Sequence, residues 1–386
     1  MGRSSYKRLG DYIQPVDIRN KDNAVDKLLG LSMTKQFRPT TSNIVGVDLS
    51  KYKVVDKHVF AFDTMSVIRT GKVPIAVNLT DDLIIVFPAY VTFKSKDDDL
   101  LDPLYLMIWF SRSQFDRFAF FKSDASVRGG YNWDELCDTL IDLPPIEEQR
   151  EIVAQYEAIT RRITLNERIC ANLEETAQAL YNKMFVQGID PDNLPDGWRM
   201  GTLDEIGEIV SGATPLTDNP LFWSDNDISW LTPADISSQG VKFISKGERD
   251  ITIDGYNSCS TKMIPKGGVL FSSRAPIGLM AIAVGNLCTN QGFKSVIPNP
   301  VYGTPFVYYT LLLNRDRIAN DGSGSTFDEI SLSGIKLVDL VIPPIEEIQS
   351  FNSKVQVIHD TQSLHETENK GLKLVRQLLI NQLGNS

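Results

Sequence analysis

Beyond Ile146 the apolar positions recur at alternating spacings of four and three. They are Ile152, Tyr156, Ile159, Ile163, then Cys170, Leu173, Ala177, Leu180 and Met184, with Asn166 holding the one polar place in the row. A four-three alternation is the seam of a long helix that buries one stripe against a partner. A second row lies near the other end of the chain: Phe351, Val355, Ile358, Gln362, His365, Asn369, Leu372, Arg376 (or Val375), Leu379 and Leu383. It is apolar at its ends and polar in its middle. The two rows open alike, with LPPIEEQREIV from Leu143 and IPPIEEIQSFN from Ile342. A residue before proline is pushed to an extended conformation, and proline suits a first helical turn. The pairs Glu147/Glu148 and Glu346/Glu347 then face the positive end of the helix dipole. Gly188 and Gly384 stand where each helix should stop.

Between the helices the period changes. HVFAF from His58, VPIAV from Val73, LIIVF from Leu83 and YVTFK from Tyr90 predict strands, and a helical stretch follows from Leu101. VKFIS from Val241, VLFSS from Val269, LMAIAV from Leu279 and KSVIP from Lys294 repeat the plan, and PFVYYTLLLNRDRI supplies the helix. Weaker echoes join the halves: YKRLGDYI (from Tyr6) with WRMGTLDEI (from Trp198), and WDEL at Trp133 with FDEI at Phe327, out of strict register. The expectation is an α+β chain with a pseudo-two-fold repeat: a lobe over 1–143, a helix over 144–187, a lobe over 188–342 and a helix over 343–386. The stretch QGIDPDNLPDGW marks the join.

The 386 residues, 42% of them hydrophobic, suit two cores of ordinary size. Four cysteines without CxxC spacing and three histidines predict neither a metal site nor a disulfide framework. No apolar run reaches the ~18 residues of a membrane span, and the start MGRSSYKRL has no signal-peptide core, so a cytoplasmic protein is expected. Net charge is −10, although residues 1–143 balance 19 Lys+Arg against 19 Asp+Glu. That argues against coating nucleic acid by bulk charge, but not against reading bases with a few placed side chains. P-loop, HExxH, G-x-S-x-G and G-x-G-x-x-G patterns are absent. The Gly-rich DGSGST at Asp321 reads as a turn rather than a phosphate cradle. No catalytic residue, metal or cofactor is expected on this chain.

The residues PPIEEQREIV leading to LEETAQALYNKMFV, and LPDGWRMGTLDEIGEIVSGATP, resemble the specificity subunit (HsdS) of type I restriction–modification systems. So do GLSMTKQF, DLSKYKVV and FPAYVTFK in the first lobe, and LTPADI, FSSRAPIG and NQGF in the second. The resemblance covers nearly the whole chain. The second helix departs from it, with Ile348 where the family has Gln after Glu-Glu.

The resemblance implies two target-recognition domains, each reading one half of a bipartite double-stranded DNA site. It implies that the two helices pair antiparallel as a spacer, and that two modification (methyltransferase) subunits flank the chain and restriction subunits join. S-adenosylmethionine, Mg and ATP would then belong to the partners only. An antiparallel pairing with Phe351 opposite Met184 places Asn166 opposite Asn369. DNA-binding candidates are Lys35, Arg38, Lys72, Lys94 and Lys96 in the first lobe, and Arg274, Asn290, Gln291 and Lys294 in the second. Arg274 either reads a guanine bidentately or orders its loop. Asn290 and Gln291 suit adenine, or a turn. Two other readings stand: a two-lobed coiled-coil scaffold without nucleic acid, and the specificity chain of a fused-activity restriction enzyme.

Overall fold

The computed structural model describes residues 6–40, 46–124, 130–274, 276–322 and 329–383. The chain forms two compact units, one of residues 1–163 with 371–386 and the other of residues 164–370, so each long helix is shared between units. The first long helix runs Ile146–Phe185 and the second Ile345–Gln382, each with its two glutamates in the first turn. Gly188 takes φ +77°, the left-handed conformation that follows a helix end. Gly384 lies outside the described residues.

The repeated entrance is one structural corner made twice. In the first unit Tyr6–Arg8 pairs antiparallel with Leu140–Asp142, and in the second Arg199–Thr202 pairs antiparallel with Asp339–Ile342. Each pair is locked by the same backbone bond: Leu9 N donates to Thr139 O at 2.9 Å, and Leu203 N to Val338 O at 3.0 Å. Both leucines are fully buried. A five-residue helix precedes each last strand, Trp133–Cys137 capped by Asn132 and Leu332–Lys336 capped by Ser331. This corrects the echo of WDEL with FDEI. The structural counterpart of Trp133–Cys137 is Leu332–Lys336, so the corner keeps its register; Phe327 itself lies outside the described residues.

Gln149, fully buried, ties the first corner to the helix Pro103–Phe110. Its Nε2 donates to Leu100 O (3.0 Å) and Pro144 O (2.8 Å), and its Oε1 accepts from Asp102 N (3.0 Å). Ile348 at the matching place is an apolar core residue. Asn352, one turn later, does the polar work instead: Nδ2 donates to Tyr302 O at 2.7 Å and Oδ1 accepts from Phe306 N at 2.9 Å. The tie to the start of the helix Gly303–Gly322 has moved by one turn, and the corner survives.

The first lobe holds a four-stranded sheet ordered Ile13–Pro15, Val91–Ser95, Val59–Phe62 and Ile75–Val77. The helical stretch from Leu101 divides into Pro103–Phe110 and Ser113–Asp124, and at the break Arg112 Nε donates to Trp109 O at 3.1 Å. The second lobe has a five-stranded sheet ordered Gly207–Ser211, Lys294–Pro298, Val269–Phe271, Met280–Ala283 and Phe243–Ile244, and a second, four-stranded sheet. The helix from Pro305 begins at Gly303 and takes in Asp321 and Gly322; the rest of DGSGST lies outside the described residues.

The long helices pack together and run antiparallel. In the second unit Asn166 meets Asn369, Cys170 meets Gln362, and Phe185 meets Phe351 with ring centroids 5.3 Å apart. In the first unit the Arg376 guanidinium lies 5.9 Å from the Tyr156 ring. The seam residues Ile152, Tyr156, Ile159, Ile163, Asn166, Leu173, Leu180, Phe351, Val355, Ile358, Asn369, Leu372 and Leu379 are all buried or half-buried. Arg376 holds the inner place, and Val375 is exposed. Tyr181, Phe185 and Phe351 add mutual aromatic edges, worth about 0.5–1.5 kcal/mol per pair beyond buried area.

Candidate nucleic-acid interface

The second-lobe candidates converge on one edge. Ser273 N donates to Gly292 O at 2.8 Å, which lays the segment before Arg274 against the turn that carries Asn290 and Gln291. Lys294 begins the strand beyond that turn. Glu329 sits between the two cations: Arg274 reaches its Oε2 at 3.0 Å and Lys294 its Oε1 at 3.5 Å. Burial works to raise the Glu329 pKa, and the two cations outweigh it, so the carboxyl stays below its ordinary value. Arg274 is the exposed member and Lys294 the buried one. Ala275, the next residue, lies outside the described residues.

Asn290 is a turn residue: its Oδ1 accepts from Gly292 N at 2.9 Å. Gln291 is exposed, and its Oε1 accepts from Thr214 Oγ1 at 2.5 Å. Gly212, just upstream, runs so close to this turn that an added Cβ would meet Asn290 O at 2.1 Å, which only glycine tolerates. An edge with an exposed guanidinium and amide beside hydroxyls suits hydrogen bonding to base edges or phosphates. Sequence reasoning missed Thr214 and Glu329. Glu329 fell inside the FDEI echo, but nothing in that echo places it beside Arg274.

The first-lobe candidates do not form one patch. Lys35, at φ +61° in the loop between strands Leu29–Leu31 and Phe37–Pro39, turns inward. Its ammonium donates to Phe110 O at 2.5 Å and to Asp116 Oδ1 at 2.8 Å, and the same Asp116 oxygen accepts from Val73 N at 3.0 Å. Burial lowers the Lys35 pKa and Asp116 opposes that drop. Lys35 is thus an interior tie, which corrects its place among surface contacts. Lys96 donates to the carbonyls of Gly10 (3.0 Å) and Asp11 (2.9 Å), so it fastens a turn. Arg38, Lys72 and Lys94 are exposed. Among the described residues no group of three or more His, Cys, Asp or Glu is placed to hold a metal, and no helix is long and apolar enough to cross a membrane.

Residues 195–374 match the family described as type I restriction modification DNA specificity domain. That segment contains the Arg274 edge. The chain is a relative of the type I restriction–modification specificity subunits. It is 36% identical over 173 residues to the MjaIX specificity subunit of Methanocaldococcus jannaschii, covering 44% of this chain and 40% of that one. It is 31% identical over 221 residues to the HindI specificity subunit of Haemophilus influenzae, covering 56% and 48%. The chain thus spans about half the length of these relatives or less. The solved S subunit of the type I system from M. genitalium shares the fold, with a TM-score of 0.62 at 12% identity over 98% of this chain and 95% of that one.

Proposed function

We propose that this chain is the DNA sequence-recognition subunit of a type I restriction–modification complex. Each lobe reads one half of a bipartite double-stranded site, and the paired helices set the unread spacer. The observation that carries this reading is the repeated corner, in which each lobe leaves the helices through the same strand pair, the same leucine bond and the same Pro-Pro step. A chain with internal two-fold repetition offers equivalent faces to two copies of one partner. Two modification subunits therefore dock on it, and restriction subunits join the complete assembly. Methyl transfer and cleavage, with S-adenosylmethionine, Mg and ATP, belong to those partners, and the complex works in the cytoplasm.

The test is a pull-down from the host followed by a methyl-transfer assay. The tagged chain should recover a methyltransferase with an Asn/Asp-Pro-Pro-aromatic motif, and should transfer methyl groups only when that subunit is present. A two-lobed scaffold would recover no such enzyme. Methyl transfer by the purified chain alone would contradict the reading and favour a fused-activity enzyme.

A further inference from the structure

Lys242 lies between the helix Pro233–Gln239 and the edge strand Phe243–Ile244, inside the run VKFIS that predicts this strand. Its side chain is only 9% exposed. The ammonium donates to Glu174 Oε2 at 2.6 Å on the first long helix, to Tyr309 OH at 2.8 Å on the helix Gly303–Gly322, and to Gln362 Oε1 at 3.3 Å on the second long helix. Three donors meet three acceptors on three elements. The charge also lies 4.3 Å from the Tyr308 ring and 4.7 Å from the Tyr309 ring.

The backbone at the same place is held by the second long helix. Strand Phe243–Ile244 pairs on one side with Met280–Ala283. On its other side Glu366 takes the place of a neighbouring strand: one carboxylate oxygen accepts from Lys242 N at 3.0 Å and the other from Phe243 N at 2.9 Å. A carboxylate bridging two successive amides fixes the sheet edge against the helix to within one residue. Glu174 in turn accepts from Gln362 Nε2 at 3.2 Å and Tyr309 OH at 3.1 Å. The Lys242 side chain is nearly buried and both glutamates are half-buried, so any rotation of the sheet on the helices breaks several charge-assisted bonds at once.

We propose that Lys242, with Glu174 and Glu366, is a positioning residue for sequence recognition: it sets the angle of the second lobe on the long helices, and thereby the spacer accepted between half-sites. The proposal rests on the recognition role argued above. It makes spacer choice depend on a buried side-chain node as well as on helix length. Lys242 touches no DNA in this account and reads no base.

The experiment compares the wild-type complex with one carrying Lys242→Met and Glu174→Gln together, which removes the ion pair and leaves the Glu366 carboxylate held by its two backbone amides. Both are assembled with their modification subunits and given a DNA library in which the spacer between the two half-sites varies one base pair at a time. Wild type should methylate one spacer length. The variant should keep both half-site sequences, while its preference for that length over neighbouring lengths falls by about tenfold, the scale of losing a coupled network. A folded variant with the wild-type spacer preference overturns the proposal, as does one that loses a half-site sequence while keeping the spacer. If the double variant does not fold, Tyr309→Phe is read the same way, with a smaller but measurable relaxation expected and an unchanged preference overturning the proposal. A wild-type complex that methylates no bipartite site contradicts the recognition role itself, a result distinct from either variant outcome.

Discussion

Asn166 Nδ2 donates to Asn369 Oδ1 at 2.9 Å, joining the only polar place in the first helix row to the polar middle of the second. The same nitrogen reaches Glu368 at 2.8 Å. Buried polar pairs in a helix seam lower stability and fix register, because a shifted pairing strands each amide against carbon. Asn166→Leu alone should therefore destabilise the protein by about 1–3 kcal/mol. The pair Asn166→Leu with Asn369→Leu should recover most of that loss. Urea unfolding of the four proteins gives the coupling; additive losses would mean that the amides do not act together.

Lys35 separates an interior tie from a phosphate contact. Lys35→Met leaves the Asp116 carboxylate buried with Val73 N as a remaining donor. It should lower the stability of the first unit by about 3 kcal/mol, the scale for breaking a buried ion pair. The salt dependence of DNA binding should stay as in wild type. A phosphate contact would behave in the opposite way, with unchanged stability and a salt slope reduced by about one.

Arg274→Ala addresses the exposed edge of the second lobe. If the guanidinium reads a guanine, binding weakens by about 1–3 kcal/mol and choice relaxes at one position of one half-site. The half-site read by the first lobe stays unchanged. Selection of bound sequences from a randomised library measures this. Loss of choice in both halves, or an unfolded second lobe, would assign Arg274 to ordering its loop against Glu329.

His359 makes the second unit sensitive to acid. The ring lies against Phe243, Tyr308 and Tyr309, and burial, reinforced by Lys242 and opposed by Glu174, pushes its pKa from 6.5 to about 3. The folded state holds the neutral ring, while the unfolded chain binds a proton below pH about 6.5. This contribution is fully present above that pH and is lost as pH falls toward 3, at about 1.4 kcal/mol per unit. The difference in unfolding free energy between wild type and His359→Phe should thus shift by about 1 kcal/mol between pH 6.5 and 5.5, because the unfolded ring is already half protonated at 6.5. Parallel pH profiles for the two proteins would contradict the buried neutral ring.

Periodic features were legible in the sequence. The seam from Ile152 to Met184 follows from spacing alone, and the Pro-Pro-Ile-Glu-Glu repeat located both corners. Strands such as Val59–Phe62 and Lys294–Pro298 fell where β-branched and aromatic runs placed them. Isolated polar residues were not legible. Lys35 and Lys242 look like any surface lysine, because burial of a single charge is decided by partners distant in the chain, Asp116 and Glu174. The shift of the corner tie from Gln149 to Asn352 was hidden for the same reason. A side-chain amide is matched to backbone groups by geometry, and a one-turn displacement leaves no mark in spacing.

The most direct measurement is a map of methylated adenines in cells expressing the chain with its modification subunit, set against cells lacking the chain. The account predicts a single bipartite motif, two short half-sites at one fixed spacer, present only when the chain is expressed. Methylation that is independent of the chain, or a contiguous motif without a spacer, would contradict it.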